Sequence, residues 1–286
     1  MKLLHDIEND VEHTIPPVGG VDSQWLFRAM TERTLAWIGT APGRCIVDLA
    51  SGLGQDTYDL ARRAGTPASS AGFGSAHRPA LVVGIEPSNR MIRFGPRFLA
   101  PAGGAAGAQS APPAPGRARF VRGLGEEIPL RSGTVDALLC KGALDHFMDP
   151  ALTLREIARV LRPGGRAVIA LANYDSLSCV FGRWRDRGRS RAAEEAPPYY
   201  EPPPDHLTRF SYGSILALAR PPLRIRRVEG VSLLWGFPPW GRLLGRLPVR
   251  GQAALLRLAH GVASLRPAWA DVIVLVAEKR ATPAGP

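Results

Sequence analysis

Three groups of residues in this chain have the types and spacing that chemistry requires. The first is Asp48-x-Ala50-x-Gly52-x-Gly54, where an acid is followed by a run of small residues. Small residues let a ligand approach the backbone, which a larger side chain would block. A helix starting near Gln55 would aim its unpaired N–H groups at the same spot, suiting a carboxylate or phosphate. The second is Glu86, followed by Pro87-Ser88-Asn89. An acid at a strand tip accepts both hydroxyl hydrogens of a ribose diol. The third is Asp145-His146, with Cys140 just upstream. Imidazole gains and loses a proton near neutral pH, so His146 with Asp145 beside it is a candidate general base.

Each group needs a strand to carry it. Cys45–Leu49, Leu81–Glu86, Arg119–Gly123 and Thr134–Cys140 are short apolar runs rich in β-branched residues, and they read as strands one to four. Leu154–Arg162 is an amphipathic helical pattern that Pro163-Gly164-Gly165 should stop, feeding a fifth strand over Ala167–Leu171. Val21–Trp37 reads as a leading helix capped by Asp22 or Ser23. His206–Ala219 reads as a later helix, and Leu223–Trp235 and Ala270–Glu278 as strands six and seven. Between those strands, Leu255, Leu258, Ala259, Val262 and Leu265 recur at helical spacing, the apolar face of an insertion that could act as a lid, pack on the sheet or lie on a membrane surface. Strands alternating with helices predict an α/β, doubly wound seven-stranded sheet. Its ligands would sit beyond the carboxyl ends of the strands.

The arrangement from Cys45 to Leu171 resembles class I S-adenosylmethionine (SAM)-dependent methyltransferases, and within them the ubiquinone/menaquinone-type group. The resemblance rests on the Asp48–Gly54 turn, on Glu86, and on Arg155-Glu156-Ile157-Ala158-Arg159-Val160-Leu161-Arg162-Pro163-Gly164-Gly165-Arg166. It implies a Rossmann-like methyltransferase fold with SAM as cofactor, bound by Asp48, Ala50, Ser51, Gly52, Gly54, Glu86, Pro87 and Cys140. Leu124 stands where the family usually has an aspartate reaching the adenine amino group, so Gly125 and Glu126 become the substitute adenine contacts. Tyr199, Tyr200 and His206, after the fifth strand, are candidate substrate contacts. No metal ligands are assigned.

The chain has 286 residues and a formal charge of +11, carried entirely by its second half. Residues 1–150 hold 15 basic and 15 acidic side chains. A basic half admits nucleic acid, an anionic membrane or an acidic substrate as partner. Only three of the basic residues are lysine in a chain rich in Ala, Gly and Pro, which favours a compositional origin for the charge. The three cysteines form no disulfide framework, and the acidic start is no signal peptide, so a cytoplasmic protein is expected. The expected organisation is a helical cap over 1–40, a SAM-binding core over 41–180 and a C-terminal part over 181–286, with a disordered insertion near 98–118. The functional expectation is methyl transfer to a small hydrophobic acceptor such as a quinone, lipid or secondary metabolite. The alternatives are an RNA methyltransferase and a non-catalytic SAM-binding domain.

Overall fold

The structure, a computed structural model, describes residues 20–41, 43–65, 80–98, 118–188, 198–203 and 205–280. The expected disordered insertion and most of the loop before Leu81 lie outside the described residues.

Among the described residues, seven strands form one sheet: β1 (Cys45–Leu49), β2 (Leu81–Glu86), β3 (Ala118–Arg122), β4 (Val135–Lys141), β5 (Leu161–Ala172), β6 (Leu223–Val231) and β7 (Val272–Lys279). Their order is β3-β2-β1-β4-β5-β7-β6. The first five run parallel, and β7 runs antiparallel to both β5 and β6. The chain runs outward from β1 to β3 and then returns to place β4 on the other side of β1. Strand order therefore reverses between β1 and β4, and a crevice opens where the connections diverge. The register pairs Asp48 with Gly84 on one side and with Leu139 on the other, so the β1, β2 and β4 tips lie along one rim.

The buried strands alternate their side chains between two faces. Val47, Leu138, Cys140 and Ile169 point to the layer holding helix α4 (Pro150–Val160) and helix α6 (Tyr212–Ala219). Ile46, Leu139, Val168 and Val274 point to the layer holding α1 (Val21–Ile38) and α2 (Gln55–Gly65). The remaining α-helices among the described residues are α3 (Asn89–Phe98), α5 (Leu177–Arg185), α7 (Pro238–Arg246) and α8 (Val249–Leu265). None of the described helices is long and apolar enough to cross a membrane.

Several boundaries differ from the sequence reading. Helix α4 starts as its residues dictate, with Asp149 accepting from Leu152 N at 2.8 Å and Pro150 in the first turn. It ends at Val160, before the Pro-Gly-Gly, because Leu161 turns extended to bury its side chain in the core. Gly164, at φ 73°, then sits within a long, irregular β5. Strand β6 stops at Val231, since Ser232 and Leu234 take positive φ. Neither Asp22 nor Ser23 caps α1; its N-cap is Gly20, with no side-chain capping bond. The insertion is two helices, of which α8 packs on β6. Its inward residues are Leu256 and Ala263, whereas Leu258 and Leu265 are exposed. The helix comes so close that a Cβ on Gly230 would strike the Ala263 carbonyl oxygen. Gly230→Ala is expected to cost about 1–3 kcal/mol, because backbone must move to admit the methyl group. Urea unfolding checks this, and an unchanged midpoint would contradict the packing.

Candidate ligand and acid–base site

The turn after β1 coils back on itself. Ala50, Gly52 and Gly54 have φ of 55°, 54° and 87°, in the left-handed region that costs any residue with a Cβ. Ser51 N donates to Ile85 O at 3.1 Å and Gly54 N donates to Ser51 O at 2.8 Å. Glu86 completes the lock, one carboxylate oxygen accepting from Gly52 N at 2.8 Å and the other from Ser88 N at 3.0 Å. The acid at the β2 tip is thus tied to the turn at the β1 tip.

The two glycines of the turn do different work. A Cβ on Gly54 would strike the Phe120 ring, so that glycine makes room for a half-buried aromatic. A Cβ on Gly52 would meet nothing within 4 Å, which marks Gly52 as the open side of the turn. Beside it, the Ser51 hydroxyl is buried with no hydrogen-bond partner, a condition that a polar ligand would relieve. An open backbone approach, an unsatisfied hydroxyl, a helix N-terminus at Gln55 and a strand-tip carboxylate together fit an adenosyl amino acid. Ala50 carries strain that glycine would relieve. Ala50→Gly is expected to stabilise the fold by about 0.5–1 kcal/mol, the left-handed penalty less glycine's extra unfolded-state entropy. A lowered urea midpoint would contradict this.

Asp48 faces inward. Its carboxylate is buried and accepts from the Thr57 hydroxyl of α2 at 2.6 Å. Burial, followed by the charge of Asp56, pushes its pKa up to about 7 against the pull of Thr57 and Lys141. Asp48 therefore anchors α2 to β1. Lys141, which the sequence reading missed, sits at the β4 tip and pairs with Asp56 at 2.6 Å, also donating to Thr31 Oγ1 at 3.0 Å. The signal was available: a lone lysine closing an apolar strand.

Just past the β4 tip, a single 3-10 turn (Leu144–His146) presents Asp145 and His146. Asp145 is buried, and its backbone oxygen accepts from Leu207 N at 2.8 Å and Thr208 N at 3.1 Å. That pairing brings the 205–208 segment across the strand tips. There His206 Nδ1 lies 2.8 Å from Asp145 Oδ2 and 3.0 Å from the Tyr174 hydroxyl. Asp145 thus pairs with His206, sixty-one residues on, while the neighbouring His146 has its Nδ1 3.3 Å from Asp205 O. The two imidazole rings meet edge-on, 4.4 Å apart. Burial works against the Asp145 carboxylate, yet the hydrogen bond and charge of His206 hold it below the usual range. Burial likewise opposes the His206 cation, and Asp145 outweighs it, raising the imidazole above its ordinary value.

Cys140 is fully buried in the core, and burial, then Asp145 and then Asp48, push its thiol up. The thiol therefore packs in the core. The register pairs Leu49 with Cys140, so the turn after β1 and the segment leading to Asp145 leave neighbouring strand tips. Gly125 lies against Phe147 and Thr153. One Glu126 oxygen accepts from Met148 N and Asp149 N, which ties that carboxylate to the start of α4. Pro87 O accepts from Arg122 Nε at 2.8 Å, fastening the β2 and β3 tips together. The tyrosines brace α5: Tyr199 donates to Ser178 O at 2.9 Å, and buried Tyr200 donates to Asp186 Oδ2 at 2.8 Å.

Residues 47–169 match the family model described as a methyltransferase domain. The chain is 32% identical over 151 residues to a demethylmenaquinone methyltransferase of Corynebacterium kroppenstedtii, covering 53% of this chain and 49% of that protein. It is 28% identical over 167 residues to a ubiquinone/menaquinone biosynthesis C-methyltransferase of Syntrophotalea carbinolica, covering 58% and 57%. The chain spans about half the length of these curated relatives. Among solved structures, a [4+2]-cyclase is similar in fold at a TM-score of 0.56 and 17% identity, over 96% of this chain and 86% of that one.

Proposed function

We propose that this chain, whose residues 47–169 match a methyltransferase-domain family model, is a class I SAM-dependent enzyme of the ubiquinone/menaquinone type that methylates a small, hydrophobic acceptor. The observation that carries this reading is that the turn after β1 and the segment bearing the Asp145–His206 pair leave the neighbouring tips of the parallel strands β1 and β4. The quinone names of the two relatives favour an acceptor of that greasy, aromatic kind.

The Ala50–Gly54 turn would hold the amino-acid tail of SAM, Glu86 its ribose hydroxyls, and the backbone near Gly125 its adenine edge. SAM supplies a methyl group already activated on a sulfonium, so the protein's own work is to orient the acceptor, exclude water and receive a proton. Asp145 holds Nδ1 of His206, which leaves Nε2 as the nitrogen able to take a proton from the acceptor. His146, against the same ring, shapes the approach. Tyr199 and Tyr200 keep α5 at the rim and act on the acceptor only through that placement.

The test is calorimetric titration with SAM and S-adenosylhomocysteine, followed by incubation of labelled SAM with lysate separated into lipid, small-molecule, RNA and protein pools. Binding followed by label in the lipid or small-molecule pool supports the proposal. Label confined to RNA would replace it with the RNA reading. Binding without label in any pool would favour a non-catalytic SAM-binding domain.

A further inference from the structure

Asp145, His146 and His206 each offer a ligand atom, and those atoms all lie within 4.8 Å of one another. Two imidazoles and a carboxylate form the donor set that zinc-class cations take, with room for a solvent molecule in the fourth position. A tetrahedral ion with bonds of roughly 2.1 Å holds its ligand atoms about 3.4 Å apart. A separation at the outer limit of 4.8 Å would have to close by about 1.4 Å to reach that. The His146 side chain is 39% exposed, and that of His206, at 17%, is still reached by solvent.

A second observation points the same way. Asp145 is only 3% exposed, yet its Oδ1 has no hydrogen-bond partner, although the other oxygen faces His206. A buried carboxylate oxygen with nothing to accept from is costly in a protein that leaves few such atoms. A cation between the three side chains would relieve it. Sequence spacing hides the set, because His206 arrives from sixty residues beyond His146.

We propose that Asp145, His146 and His206 form a binding site for a divalent zinc-class cation, whose seating withdraws His206 from the acceptor and so inhibits methyl transfer. The binding half stands on geometry alone; the inhibitory half rests on the role given to His206 above. The test titrates Co2+ into chelator-treated protein and follows the visible absorption of the bound ion, with Zn2+ as competitor. Saturation at one ion per chain, displacement by Zn2+, and at least about tenfold weaker binding in both His146→Ala and Asp145→Asn are expected. Thermal melts without metal verify that the variants are folded. No absorption band, or equal titrations for wild type and a folded His146→Ala, would overturn the site. If Zn2+ binds but leaves the methylation rate unchanged, the inhibitory half is overturned while the site stands. A protein that binds Co2+ but transfers no methyl group would instead count against the methyltransferase reading, so the two failures are told apart.

Discussion

Asp145→Asn and His206→Gln are each expected to lower kcat about 10²- to 10⁴-fold, the range over which a positioned base contributes. The argument starts from the 2.8 Å contact between Asp145 Oδ2 and His206 Nδ1. A carboxylate accepts a hydrogen there, which fixes the ring with its proton on Nδ1 and an open lone pair on Nε2. An asparagine of the same shape can offer an N–H instead, stabilising the opposite tautomer and placing a proton where the acceptor's proton must go. In His206→Gln the basic nitrogen itself is gone. Neither change touches the β1 turn or Glu86, so the affinity for S-adenosylhomocysteine should stay within about twofold of wild type. That split separates a base from a merely structural residue: loss of packing would weaken ligand binding and lower the melting temperature together. Rapid-quench turnover with calorimetry on the same preparations checks it. Full activity in a folded His206→Gln protein would remove the base from the mechanism. The double variant should lose little more than either single one, since a dyad fails as a unit.

What the sequence shows and hides divides along a physical line. The acids at the β1 and β2 tips are legible because short apolar runs announce buried parallel strands, and whatever ends such a run stands at the rim. Asp48 and Glu86 were placed that way, though only Glu86 touches the turn; Asp48 is buried against Thr57. The partner of Asp145 was not legible. Residues 206–219 have a helical pattern, but the helix starts only at Tyr212, where Ser211 and Ser214 form a reciprocal cap. The residues before it are drawn out to satisfy Asp145 O, a tertiary contact that outweighs local propensity. The inward face of α8 was likewise set by close approach at Gly230, which brought Ala263 to the sheet and left the larger Leu258 outside. Periodicity reports that a helix has an apolar side; which residues win the interior depends on the partner surface.

Glu86→Ala is expected to weaken SAM binding about 100-fold or more. A carboxylate accepting from both ribose hydroxyls makes two charge-assisted hydrogen bonds, each contributing about 1.5–3 kcal/mol. Glutamine keeps one acceptor oxygen and its reach, so Glu86→Gln should fall between alanine and wild type. The same carboxylate also accepts from Gly52 N and Ser88 N, so part of the loss in Glu86→Ala will come from a loosened turn. A ligand-side control separates the two contributions. With a 2′,3′-dideoxy analogue of S-adenosylhomocysteine, the hydroxyl interaction is absent for every variant, and only the loosening remains. If Glu86 reads the ribose, wild type should lose affinity for the analogue steeply while Glu86→Ala scarcely distinguishes the two ligands, the non-additivity expected of groups in contact. Equal losses for both ligands would mean that Glu86 serves the loop alone, and the diol would then have to be read by another group at the β2 tip.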